Sequence, residues 1–294
     1  MIAMLRFDPQ PRAIAGLVLG VALAAAPVQH LAAQPQPAAQ ATSVTGPAYA
    51  DLVDLAEAAQ LVVRAQVRRQ AEVRPDRAPG LVPGHARLFI EADTQALIAG
   101  TVPVGERLRY LVDVPRDARG RVPRLRRETV LLFARPVAGR PGELQLVDPS
   151  AQLVATPALE ARVREVVAAT LAPDRPPIVT GIVDVLSMPG NLAGESETQL
   201  FLRTASGAPA SITVIRRPGQ NPRWGVSWSE LVDQAASPPA RDTLAWQRLA
   251  CGLPDALPPD ADLARSPSAQ RQAAEDYQLV RRDLGPCGRT RTAV

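Results

Sequence analysis

Strict alternation of apolar and polar residues constrains this chain more than any other feature. From Leu61 to Val73, the residues Leu61, Val63, Ala65 and Val67 fall on one side, and Arg64, Gln66 and Arg68 on the other. A period of two belongs to a half-buried strand, so one face must find a core while the other meets water. Ala86 to Ile98 repeats the pattern with Leu88, Ile90 and Ala92 inward, and Glu106 to Val114 repeats it with Leu108, Tyr110, Val112 and Val114. Thr129 to Ala134 is a continuous apolar run, TVLLFA, and predicts a strand buried on both faces. Glu143 to Val147 and Gln152 to Ala155 supply one or two more. Residues 74–84 carry Pro75, Pro79, Pro83, Gly80 and Gly84 and predict a loop; the Arg-rich stretch 115–127 predicts another. Such a series of antiparallel strands predicts a small closed β-barrel over residues 51–156.

A short helix, Asp51 to Ala59, precedes the first strand, after a disordered lead-in at 42–50. The stretch from Asp54 to Val67, DLAEAAQLVVRAQV, with Val130 to Ala134 later, resembles the opening and closing of small exported barrels of OB-like type. Gln60 and Ala65 stand where those barrels have Asp and Gly. The resemblance implies a fold for about a third of the chain and carries no functional residues.

Pro157 to Ala172 predicts a helix capped by Thr156, with Leu159, Val163, Val166, Val167 and Leu171 on its apolar face. Pro173, Pro176 and Pro177 then mark a boundary, so 157–176 is a linking helix and linker, and 177–294 an α+β domain. Its strands are expected at Ile178 to Leu186, Gln199 to Thr204, Ser211 to Arg216 and Arg223 to Trp228. Two helices follow, Arg241 to Cys251 and Ser268 to Leu284, the second with Ala273, Tyr277, Val280 and Leu284 at helical spacing. Pro189 to Leu202, PGNLAGESETQLFL, and Arg217 to Glu230, RPGQNPRWGVSWSE, resemble a set of uncharacterised exported proteins of alphaproteobacteria. That resemblance implies one family along the mature length and no activity.

The amino-terminal end predicts an address. Arg6 and Arg12 precede the apolar run Ala13 to Ala26, AIAGLVLGVALAAA, and small residues follow. The run is shorter than the roughly 20 residues a spanning helix needs, so 1–41 is expected to be a cleaved signal peptide. Ala26, Ala33 and Ala41 are possible cleavage points, and Ala39-Gln40-Ala41 is favoured. The mature protein is then periplasmic or secreted, with no transmembrane span after cleavage. In that compartment Cys251 and Cys287 read as a disulfide, worth roughly 4 kcal/mol in the chain-entropy model. Two free thiols or a metal pair are the alternative, but a metal site wants more ligands than the one remaining histidine, His85, supplies.

Candidate sites are weakly marked. Gly190 and Gly194 with Glu195, Ser196 and Glu197 could form an acid–base or cation-binding loop, or simply a structured turn. Arg116, Arg119, Arg121, Arg124, Arg126 and Arg127 form a candidate anion patch, or a solvated loop. Trp224 and Trp228, four residues apart on an expected strand, with Arg216, Arg217 and Arg223 nearby, predict an aromatic-floored, Arg-rimmed groove, or core filling. His85 reads as a turn or surface residue, which argues against a His-dependent hydrolase. No catalytic residue, cofactor motif or metal site is assigned. All 33 basic residues are Arg, but the net charge of only +4 argues against nucleic acid as a partner. The expectation is a non-catalytic binding or interaction module whose partner is an envelope protein. The alternatives are a hydrolase-like enzyme using Glu or Ser without His, and a polyanion-binding barrel.

Overall fold

The computed structural model describes residues 46–230, 236–263 and 266–291; the expected signal peptide, 1–41, lies outside them. From Thr45 onward the chain clusters as one compact unit. It contains two hydrophobic cores, one drawn mainly from 49–167 and the other from 179–284.

The first core is enclosed by helix α1 (Tyr49–Ala58), strands β1 (Leu61–Glu72), β2 (His85–Ala99), β3 (Arg107–Pro115), β4 (Thr129–Pro136), β5 (Leu144–Leu146) and β6 (Gln152–Val154), and helix α2 (Pro157–Leu171). Strand order is β3-β2-β1-β4-β5, all antiparallel, with β6 also pairing β4. The β1–β2 ladder shifts register at three places along β1. Such irregularities bend a strand and raise its twist, which lets the sheet curl over its own core. Val130 to Ala134 of β4 are fully buried, as the unbroken apolar run requires. Each such large side chain stabilises the fold by roughly 1.5–3 kcal/mol.

Two expectations need correction here. Residues 49 and 50 are not lead-in: Tyr49 and Ala50 open α1 and are buried, because the first helical turn packs on the core. Residues 42–45 lie outside the described part. The closed barrel is also not formed. The strand ladder ends at β3 on one side and β5 on the other, and a single parallel bridge, Arg109 to Glu143, joins the two edges. β5 is only three residues long, too short to complete the ladder.

The second core lies between a four-stranded antiparallel meander and two helices. Strands β7 (Val179–Pro189), β8 (Ser196–Thr204), β9 (Ser211–Arg216) and β10 (Arg223–Ser227) are ordered β10-β9-β8-β7. Helices α3 (Leu244–Gly252) and α4 (Pro267–Leu284) supply the opposing face. Ala273, Tyr277, Val280 and Leu284 are all buried, as their spacing predicts. Gly252 ends α3 where the helix meets β7: a Cβ there would lie 2.2 Å from the Val179 carbonyl oxygen, so only glycine fits.

The Cys251–Cys287 disulfide is formed, with Cα atoms 4.7 Å apart, and it ties the end of α3 to the segment after α4. That segment then crosses to the first half. Arg289 pairs with Asp54. The buried carboxylate of Asp51 accepts from the backbone N–H groups of Thr290 and Arg291 at 3.0 and 3.1 Å, and from Ala48 N–H at 3.0 Å. Arg291 donates to Asp148 and to the Ser150 hydroxyl. Arg248 of α3, almost fully buried, pairs with Glu57 of α1. The two cores are thus joined by ion pairs and hydrogen bonds.

Candidate functional site

The incomplete closure of the first sheet creates the most distinctive surface of the molecule. Arg109 N–H donates to Gly142 O at 2.8 Å, and Asp113 N–H donates to Pro149 O at 2.7 Å. Between these two pins the 143–149 segment bows away from β3, and a cavity of about 600 Å³ opens. Gly142 makes the first pin possible: its φ is +80°, and a Cβ would lie 2.8 Å from the Arg107 carbonyl oxygen.

Peptide groups point the same way at every second residue of a strand. Leu111 lies midway between Arg109 and Asp113, so its N–H and C=O face the opening; they meet no backbone partner among the described residues. On the other lip, Glu143 O and Val147 N–H face β4, accepting from and donating to its flanks, which turns Leu144 and Leu146 toward β3; the Arg109–Glu143 bridge takes up the Leu144 N–H, and the peptide groups of Leu146 face the opening. Unpaired strand edges of this kind invite an added strand.

The outer surface beside the seam is apolar. Phe89 and Leu111 are cross-strand partners and stand 38% and 48% exposed, a pairing that elsewhere in this sheet would face the core. One end is closed by a bidentate ion pair, with Arg87 Nε and Nη2 each 2.7 Å from a carboxylate oxygen of Asp113. The hydrogen bond to Asp113 raises the Arg87 pKa further above its ordinary value. The other end carries Arg109, which has no ion-pair partner among the described residues, and Arg140, 3.3 Å from Glu143. Inside, Tyr110 donates to Gln152 Oε1 at 2.7 Å, and burial pushes its phenol well above the usual range.

The residues marked by sequence lie elsewhere. Glu195 folds back on its own hairpin, its carboxylate accepting from the N–H groups of Asn191 and Leu192 at 3.1 and 3.2 Å. Glu197 accepts from Gln199. Gly194, at φ +83°, makes the turn. The two carboxylates are therefore satisfied within the hairpin, whereas the buried Ser196 hydroxyl has no hydrogen-bond partner among the described residues. Trp224 is buried and its indole donates to Asp283 of α4 at 2.8 Å. Arg216 is 2.6 Å from Asp276, a fully buried carboxylate of α4 that also accepts from Thr198. Arg217 and Arg223 stay exposed, whereas Trp228 lies one residue past β10, on the wall of a separate cavity of about 770 Å³ with Leu171, Ile178 and Arg248. The structure does not bring these residues into one groove.

Within the Arg-rich loop, Arg116 pairs with Glu72 and Arg121 with Asp117. Hydrogen bonds from the Arg121 N–H, and then from its side chain and Arg119 N–H, hold the Asp117 carboxyl below its ordinary pKa. Arg119, Arg124, Arg126 and Arg127 are exposed. His85 opens β2, and its Nδ1 lies 3.4 Å from Pro83 O.

Among the described residues no cluster of His, Cys, Asp and Glu is arranged to hold a metal ion, and no helix is long and apolar enough to cross a membrane. No protein-family model matches the sequence, and no curated protein matches it. Sequence reasoning missed the seam. Its trace in the sequence was the outward-facing pair Phe89 and Leu111, set beside Arg87, Glu91, Arg109 and Asp113.

Proposed function

We propose that this chain is a non-catalytic binding module, exported to the bacterial cell envelope, and that the opening between β3 and β5 holds its ligand. The observation that carries this reading is the coincidence, at one place, of unpaired peptide groups, an exposed apolar pair and a cavity of about 600 Å³. The strand order and the Arg109–Glu143 bridge support a small OB-like barrel left open at one seam. The carboxylates around the seam are each ion-paired with an arginine: Asp113 with Arg87, Glu143 with Arg140, Asp148 with Arg291. That arrangement suits shape and charge recognition rather than proton transfer. Export rests on the apolar run after Arg6 and Arg12.

A photo-crosslinking amino acid at Leu111 tests the site, with the same group at Val183, exposed on β7, as control. A discrete adduct from envelope extract at position 111 and none at 183 is expected. No adduct at 111, or the same adducts at both, would sink the assignment.

A further inference from the structure

We infer that the ligand is a short extended peptide bearing an apolar side chain next to a carboxylate, added as a strand along β3. This rests on the seam being the binding site. Three features select that chemistry. First, the seam offers hydrogen-bonding groups from both lips, Leu111 on β3 and Leu146 on β5, all from the main chain. Main-chain donors and acceptors alternating at strand spacing are met by another main chain in extended form, which is how strand-addition sites obtain affinity. Second, the length is short. The pins at Arg109 and Asp113 are four residues apart on β3, roughly 13 Å of strand, so two or three ligand residues are enclosed. Third, the two ends differ in charge. Asp113 is neutralised by Arg87 and Asp148 by Arg291, whereas Arg109 is unpaired among the described residues and Arg140 is largely exposed. A ligand carboxylate therefore belongs at the Arg109 end, and an apolar side chain over Phe89 and Leu111.

The probe is a fluorophore-labelled, acetylated peptide of alanine, valine, alanine and glutamate, titrated by anisotropy against the mature protein. A second peptide has lysine in place of glutamate. Two more carry N-methyl groups on alternate amides, one set on odd and one on even positions, so the protein stays unaltered. We expect the glutamate peptide to bind and the lysine peptide to bind about tenfold more weakly. One N-methylated set should lose about tenfold and the other nothing, because only one row of amides faces β3. Arg109→Glu should reverse the preference between glutamate and lysine. Equal binding of the two N-methylated sets overturns strand addition, and indifference to the charge swap overturns the carboxylate. If no peptide binds while the Leu111 crosslinker still captures a ligand, the peptide inference falls and the binding reading stands. If the crosslinker captures nothing either, both fall.

Discussion

The two sheets solve the same problem in opposite ways. The first, β1 to β6, curls until its own edges nearly meet, so its inner face buries itself and what remains unsatisfied is an edge. The second, β7 to β10, does not close, so a whole face must be covered from outside, by α3 and α4. The first core is almost purely aliphatic. Of its two buried phenols, Tyr110 finds Gln152 within the same half. In the second, the helix is fixed by polar matches reaching across long stretches of sequence: Asp276 with Arg216, Thr198 and Gln272, and Trp224 with Asp283. A self-closing sheet needs little specificity, but a helix laid on a sheet can slide, and buried pairs fix its register. Asp276 and Asp283 are the α4 partners in those matches.

The largest break in the comparison should come from Asp276→Ala. The carboxylate is fully buried, and its loss leaves the Arg216 guanidinium without its ion pair and the Thr198 hydroxyl with only Ser187 Oγ. Removing one partner of such a pair costs about 3–5 kcal/mol. The double change Asp276→Leu with Arg216→Met should recover most of that stability while loosening the register of α4. Denaturant unfolding gives the cost, and amide exchange of α4 the loosening. If the double variant is as unstable as the single, the pair stabilises the fold outright and is not merely a register device.

Next in size is the disulfide. Cys251→Ser with Cys287→Ser releases a closed loop spanning a sequence separation of 36, which should cost roughly 2–4 kcal/mol. The loss should not stay in the second half, since the segment after Cys287 carries Arg289 and Thr290 to α1 and Arg291 to Asp148, at the far lip of the seam. Amide exchange should therefore rise in α1 and around 148–150 as well as in α4. Changes confined to α3 and α4 would show that the strap holds without its covalent anchor.

How much of this was legible follows the same division. Alternation in β1 to β3 and the run TVLLFA in β4 marked the first sheet, because apolar packing writes itself into period. The face of α4 was legible for the same reason. β8 was read from Gln199, yet it begins at Ser196, because its inward positions there are Ser196 and Thr198. Both are buried, and Thr198 meets Asp276 of α4 from 78 residues away. A buried polar match looks like a solvated stretch until its distant partner is known. Trp224 misled in the converse way, as a large aromatic between arginines that was filling the core. The seam was hidden because an edge is defined by what fails to pair, and alternation carries no information about pairing.

All three tyrosines are buried, Tyr49 and Tyr110 in the first core and Tyr277 in the second, and burial raises each phenol. The Tyr277 phenol is pushed up to about 12. A folded phenol that keeps its proton above the unfolded value stabilises the fold fully below that value and progressively less above it. For Tyr277 the loss runs from about pH 10 to about pH 12. Ultraviolet absorbance of tyrosinate, followed with unfolding, should show this loss over that range. Tyr277→Phe should flatten that alkaline loss. An unchanged slope would mean that other groups drive it.

The smallest expected effects are the helix caps, and they bear most directly on whether the halves are equally dependent on their helices. Thr156 accepts from Leu159 N–H at 3.1 Å at the start of α2, and Thr243 accepts from Trp246 N–H at 3.2 Å at the start of α3. Either Thr→Ala change removes one cap, worth about 1 kcal/mol. In the first half the sheet encloses most of its own core, so fraying α2 should cost little beyond the cap. In the second half α3 covers an open face, and its first turn carries Trp246, whose indole donates to Leu284 O at 2.9 Å. Fraying there disturbs the contact between α3 and the end of α4, so Thr243→Ala should exceed Thr156→Ala. Equal costs in thermal or denaturant unfolding would show that the second sheet depends on its helices no more than the first.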